Sequence, residues 1–269
     1  MQLGVCYYPE QWPQSMWADD ARRMVELGIS HVRIAEFAWS RMEPRAHEYD
    51  WAWLDEAVST LADAGLKIVL GTPTASPPRW LVDTYPDILP VRADGTRWNF
   101  GSRRHYDVSS ERYREECLRI VTAMARRYGK HPSVIAWQTD NELGCHETIP
   151  SYSTAALTRF RTWLARRYET VDGLNRAWGN VFWSMEYPSF DTIELPNLTP
   201  TDANPIHLLD FRRFMSDEVA SFHREQADVL REFAPGADVL HNFMGFFTTF
   251  DHYRFVENGT IDVAAWDSY

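Results

Sequence analysis

The sequence predicts an α/β fold, and within that class a (β/α)8 TIM barrel that breaks off after about six strands. Three observations carry this. Short apolar runs alternate along the chain with longer amphipathic runs of helical period. Polar and aromatic residues gather just after nearly every apolar run. No glycine-rich phosphate loop follows the first run, so an open nucleotide-binding sheet has little support.

Taken in order, Leu3 to Tyr7 reads as the first strand. From about Ser15 to Leu27, Met16, Met24 and Leu27 recur on a helical period before Gly28 stops the run. His31 to Ile34 is the second strand. Trp51, Leu54, Val58 and Leu61, spaced three or four apart, mark a helix over 51–64 that Gly65 closes as a C-terminal cap. Lys67 to Gly71 is the third strand. Thr72 to Ser110 is a long excursion rich in proline and arginine, with one helical turn near Arg79 to Val82; structureless segments of that length inside a compact domain are usually functional. Glu111 to Tyr128 is a helix, Val134 to Gln138 the fourth strand, and Ser153 to Tyr168 another helix. A second excursion, Glu169 to Pro205, carries Trp178 and Trp183. Leu208 to Phe233 is a long helix, Asp238 to His241 the fifth strand and Asp262 to Ala265 the sixth.

The segments that follow these strands are Tyr8 to Trp12, Glu36 to Trp39, Thr72 to Thr74, Asp140 to Glu142, Asn242-Phe243 and Asp267 to Tyr269. A barrel builds its active site from such loops, at the C-terminal ends of its strands. A closed barrel of this kind needs eight strands. With six found, the expectation is that these residues are the first part of a longer protein, since six strands would leave unpaired edges.

Composition narrows the class. A chain of 269 residues, 45% of them hydrophobic, can bury one sizeable core. The formal charge of -11 and a pI near 5.3 disfavour nucleic acid or an anionic membrane as a partner. No run of about 18 apolar residues suggests a membrane span, and the opening residues enter a strand pattern without a signal-peptide pattern. Three scattered cysteines, Cys6, Cys117 and Cys145, read as reduced thiols of a cytoplasmic protein. The 12 Trp, 12 Tyr and 14 Phe either fill the core or stack on the apolar faces of sugar rings.

The chemistry is written most plainly in Trp137-Gln138-Thr139-Asp140-Asn141-Glu142, directly after an apolar strand. Glu142 can protonate a glycosidic oxygen, while Asn141 hydrogen-bonds a neighbouring hydroxyl, a bond that strengthens as oxocarbenium character develops.

Four blocks, Gly4 to Pro13, Val32 to Pro44, Gly101 to Tyr106 and Trp137 to His146, each placed after a predicted strand or in the long third loop, resemble in order the β-galactosidases of glycoside hydrolase family 42. The likeness extends along the whole chain. It implies a retaining glycosidase acting on β-galactosides, with residues 1–269 forming the N-terminal part of its catalytic barrel domain. It implies Glu142 as acid/base, Asn141 on the hydroxyl beside the anomeric carbon, and Arg103 as a galactose-binding residue. Arg33 and Glu36 resemble members of the site floor, and their spacing equally suits a buried ion pair; Trp183 resembles an aromatic wall near the leaving sugar. A homotrimer is the oligomer the family suggests.

Two departures alter that picture. Many members hold a structural zinc with four cysteines, one shortly after the Arg-Arg-His-Tyr run and three after the fourth strand. Here Asp107 stands at the first position and Ile149 to Ala155 contains no cysteine, so the expectation is no zinc and no cofactor. Retention also requires a second carboxylate about 5 Å from the first; the family places it as a Glu ending the seventh strand, outside residues 1–269. Within the chain, Glu36, Glu10 and Asp267 are the carboxylates after strands that face Glu142 across the expected barrel mouth. Another clan A glycosidase, directed at xylan, mannan or arabinosides, shares the Asn-Glu strand but not the Arg-Arg-His-Tyr block. A noncatalytic sugar-binding fragment is the alternative of a different class.

Overall fold

The structure is a computed structural model and describes residues 2–245, 250–257 and 259–268; Tyr269 of the last segment above lies outside them. Six parallel strands form one sheet in sequence order, β1 (Gly4–Cys6), β2 (His31–Ile34), β3 (Lys67–Gly71), β4 (Val134–Gln138), β5 (Asp238–Met244) and β6 (Val263–Asp267). Every neighbouring pair is parallel, which is the winding of a β/α barrel carried through six of its eight positions.

The helices are α1 (Gln14–Glu26), α2 (Trp39–Met42), α3 (Ala52–Asp63), α4 (Arg79–Thr84), α5 (Glu111–Tyr128), α6 (Thr154–Tyr168), α7 (Val171–Trp178), α8 (Pro205–Phe233) and α9 (Tyr253–Glu257). They pack side by side on the sheet, α1 on α3 and α5 on α8. α5 shows why these sequences form helices of this length. Ser110 caps its first turn by accepting from the Tyr113 amide at 3.3 Å. Tyr113, Cys117, Ile120, Val121 and Met124 then recur at helical spacing and are fully buried.

Boundaries moved where capping or pairing outweighed the apolar pattern. α8 begins at Pro205 rather than Leu208, because Asn204 Oδ1 accepts from the Ile206 amide at 2.9 Å and proline suits the first helical position. β5 and β6 run on to Met244 and Asp267, past the apolar stretches, because the two ladder together through Phe243–Trp266 and Met244–Asp267. The second excursion contains α7, which sequence periodicity left unread. Its Thr170 hydroxyl accepts from Gly173 and Gly179 ends it in a left-handed conformation, but Gly173 inside the run masks the pattern.

One glycine bears directly on the site. A Cβ on Gly71, at the end of β3, would lie 2.4 Å from the Glu36 Cβ. Only glycine lets β3 pass so close beneath the loop that carries Glu36.

Candidate active site

The β4 strand delivers Gln138, Thr139, Asp140, Asn141 and Glu142 to the C-terminal rim of the sheet, and all five are buried. Asp140 and Glu142 both take positive φ, 52° and 47°, which turns successive side chains in directions a continuing strand would not allow. Surrounding bonds hold that conformation. The Asp140 carboxylate accepts from the Tyr106 hydroxyl, the Thr74 hydroxyl and the Asn141 amide, each at 2.7 Å. The Asp140 amide donates to Thr72 Oγ1 at 2.7 Å. Burial pushes the Asp140 carboxyl up, against the pull of the buried Arg104 guanidinium and its three donors.

β5 supplies the other half of the clamp. The Glu142 amide donates to Asn242 Oδ1 at 3.1 Å, and Asn242 Nδ2 donates to Asn141 Oδ1 at 3.1 Å and to Asp267 Oδ2 at 3.0 Å. His241 bridges the same loop, its Nδ1 2.8 Å from the Thr139 carbonyl and its Nε2 3.2 Å from the Leu143 amide. Donation from Nδ1 and acceptance at Nε2 require the neutral imidazole. Burial, the largest influence, holds His241 well below the usual histidine range.

A second chain of bonds crosses the floor. Tyr8 donates to Glu36 Oε1 at 3.2 Å, Arg33 Nε donates to the same oxygen at 3.0 Å, and Arg33 Nη1 reaches Gln138 Oε1 at 2.6 Å. Gln138 Nε2 in turn donates to the Asp140 carbonyl at 2.9 Å and lies 3.4 Å from Asn141 Oδ1. Arg33 and Glu36 are thus a partly buried ion pair built into the floor, with the Glu36 side chain fully buried. Glu36 Oε2 is buried and has no hydrogen-bond donor among the described residues. Such an oxygen suits a hydroxyl group arriving from a ligand.

Arg103 comes from the long excursion between β3 and α5 and places Nη2 3.0 Å from Glu142 Oε2, its guanidinium 5.7 Å above the Phe37 ring. The structure therefore gathers Glu142, Asn141, Arg103, Arg33 and Glu36 at one rim. Trp183 is placed elsewhere. It is 68% exposed, stacks on Phe182 at 4.9 Å, and lines a separate cavity with Trp178, Asn180 and Asn204. Of the other carboxylates, Asp267 joins the network through Asn242, and burial together with the neighbouring Glu142 holds its carboxyl above the usual range. Glu10 is pushed up to about 7 by burial, reinforced by Glu36.

In the sequence Asn242 and Asp267 are marked only as residues after strands, and His241, Tyr106 and Arg104 carry no sign of a role in the site. Strand position signalled the first two. Nothing in the spacing of the others announces that they converge on the β4 loop.

The residues at the zinc position of the family do not suit that ion. Asp107 is fully buried and accepts from the Ser109 amide and the Ser151 hydroxyl, both at 2.9 Å. One carboxylate with hydroxyl donors lacks the four-ligand sulfur and nitrogen set of structural zinc. Cys145 Sγ instead meets His146 Nδ1 at 2.8 Å. Among the described residues no group of three His, Cys, Asp or Glu is disposed around a metal position. The Asp107 cluster ties the first excursion to the segment before α6, as a metal would. Ser151→Ala, which strips a donor from this buried carboxylate, is expected to lower unfolding free energy by about 1–3 kcal/mol in urea titrations.

His223 supports the loop from behind, its Nδ1 2.7 Å from Thr139 Oγ1, and burial holds it down at about 4. Because its folded value lies below the ordinary 6.5, this contribution to stability is complete above that pH and is lost as pH falls toward 4. Glu10, raised in the fold, works in the opposite direction over the same range, so the histidine effect is read as a difference. Between pH 7 and 5 the wild type should lose on the order of 2 kcal/mol more stability than His223→Gln, measured by denaturant unfolding at both pH values.

A buried carboxyl group flanked by an amide, after the fourth strand of a β/α barrel and at its C-terminal rim, is the arrangement expected of the barrel glycoside hydrolases. Comparison with known proteins supplies the family. The model of glycoside hydrolase family 42, described as beta-galactosidase, matches residues 6–269. A β-galactosidase of Thermus thermophilus is 57% identical over 267 residues, covering 99% of this chain and 41% of its own length. The crystal structure of a β-galactosidase from the psychrophilic Marinomonas ef1 superposes with a TM-score of 0.98 at 58% identity, covering 100% of this chain and 41% of that one. The catalytic domain of a Paenibacillus polymyxa β-amylase, at 12% identity and a TM-score of 0.74, shares the fold alone. The chain belongs to glycoside hydrolase family 42, and it spans about 41% of the length of the relatives named first. Among the described residues no helix is long and apolar enough to cross a membrane.

Proposed function

We propose that residues 1–269 are the N-terminal part of the catalytic barrel domain of a longer, retaining β-galactosidase that hydrolyses terminal non-reducing β-D-galactosides. The observation that carries this is the clamped Asn141-Glu142 pair with Arg103 on the Glu142 carboxylate. Family membership and the β-galactosidase names of the relatives support the same reading.

In this mechanism galactose settles on the floor formed by Arg33, Glu36 and Gln138. Arg103 leaves the carboxylate for a sugar hydroxyl, and Asn141 takes the hydroxyl beside the anomeric carbon. Glu142 donates a proton to the glycosidic oxygen while a glutamate outside residues 1–269 attacks the anomeric carbon and the leaving group departs as an alcohol. Glu142, now a carboxylate, removes a proton from water as that water displaces the enzyme ester, releasing galactose with its original configuration. Trp183, exposed and lining a separate cavity with Trp178, Asn180 and Asn204, takes no part in these steps. A cytoplasmic homo-oligomer, a trimer as in the family, completes the proposal; the free cysteines suit that compartment.

The test is a panel of p-nitrophenyl glycosides on the full-length protein. The β-galactoside should have the highest kcat/KM. Better turnover of the β-xyloside or β-mannoside would replace galactose with another sugar.

A further inference from the structure

Thr139 and Leu143 bracket the segment that carries Asn141 and Glu142, and they stand in an i, i+4 relation. In a helical turn the amide of the second would donate to the carbonyl of the first. Here the imidazole of His241, from β5, lies between them. Its Nδ1 donates to the Thr139 carbonyl at 2.8 Å and its Nε2 accepts from the Leu143 amide at 3.2 Å. The ring spaces the two backbone groups apart, so the residues between them do not close into a regular turn. Asp140 and Glu142 take positive φ instead, on either side of Asn141.

His241 is itself firmly held. It is fully buried, stacks on Phe255 at 5.9 Å and meets Phe243 edge-on at 5.0 Å. The Leu143 end of its bridge bears most directly on the chemistry, because the Leu143 amide belongs to the same rigid peptide unit as the Glu142 carbonyl. That carbonyl accepts from the Cys145 amide at 3.1 Å. The peptide after Glu142 is thereby fixed on both edges, and the peptide before it is fixed by the Glu142 amide on Asn242 Oδ1 at 3.1 Å. With both flanking planes held, the Cα–Cβ direction of Glu142 is set by the fold, and with it the aim of the carboxyl group.

We propose that His241 is a positioning residue for proton transfer, holding the peptide between Glu142 and Leu143 so that the Glu142 carboxyl points at the departing oxygen. It is too deeply buried to touch substrate. Only the neutral imidazole protonated on Nδ1 fills the role, since a hydrogen on Nε2 would face the hydrogen of the Leu143 amide. The inference rests on Glu142 as the acid/base.

The experiment uses the full-length protein and compares an alkyl β-galactoside, whose leaving group needs the proton, with a dinitrophenyl β-galactoside, whose leaving group does not. His241→Phe keeps a ring in the same packing and removes both bonds. It should lower kcat/KM on the alkyl substrate about 10–10²-fold more than on the dinitrophenyl substrate, the scale of a catalytic group misplaced by about 1 Å. His241→Asn, which can donate to Thr139 but falls short of Leu143, should separate the substrates in the same direction and carries the test if the Phe variant does not fold. His241→Gln, whose amide oxygen can accept from Leu143, should recover most of the difference. Equal losses on both substrates in the Phe and Asn variants, or no loss on either, overturn the positioning role, because a merely structural residue changes the amount of active protein and not the ratio. Glu142→Gln, assayed alongside, separates the two failures: equal losses on both substrates in that variant remove the acid/base reading itself, and the role of His241 with it.

Discussion

Glu142→Gln in the full-length protein should lower kcat/KM on an alkyl β-galactoside by roughly 10²–10⁴-fold, the contribution of a positioned general acid. The amide keeps the shape of the side chain and has no proton to give. On a dinitrophenyl β-galactoside, whose leaving group departs without protonation, formation of the galactosyl-enzyme should be affected far less. Deglycosylation still lacks its base, so that ester should accumulate and produce a burst of dinitrophenol. Steady-state and stopped-flow absorbance on the two substrates measure both effects. Equal impairment of both first steps would assign Glu142 a binding role instead of proton transfer.

The second large effect concerns Asp140, which does no chemistry in this account. Asp140→Ala removes the acceptor of Tyr106, Thr74 and the Asn141 amide at once, and takes away a carboxylate that the buried Arg104 charge acts on. Stripping one partner from a buried polar network of this kind costs about 3–5 kcal/mol. The loop whose positive φ angles aim Asn141 and Glu142 should loosen as well. Denaturant unfolding should show that loss of stability. Asp140→Asn, which retains an acceptor but not the charge, should fall between the two proteins. A fully stable Asp140→Ala protein would mean that the network does not hold the β4 loop.

Much of this site was legible because its residues follow strands. Asn141-Glu142 stood out through an apolar run ending in a polar pair, Arg33 through its place near the end of β2 and Glu36 through its position just after it. The strand order followed from the alternation of short apolar runs with amphipathic ones. What could not be read was direction. Arg103 and Arg104 are adjacent and identical in type, yet one reaches Glu142 with its side chain 37% exposed and the other is buried under the loop. Asp140 is in sequence only one acid of the segment after the fourth strand, and its three buried donors alone show its place in the site. His241 reads as the end of a strand, because a bridging imidazole depends on β4 and β5 lying side by side. Asp107 was legible as a missing zinc ligand, but its hydrogen-bonded replacement needed the approach of Ser151 from 44 residues away.

Glu142 is the acid/base of the proposed retaining mechanism. The most direct test is Glu142→Gly in the full-length protein, assayed on dinitrophenyl β-galactoside with and without sodium azide and with the product identified by proton NMR. Azide should restore turnover and give β-galactosyl azide, because the small anion enters the space left by the carboxylate and attacks the galactosyl-enzyme without needing a base. Unimpaired hydrolysis without azide, or an α-configured azide product, would contradict it.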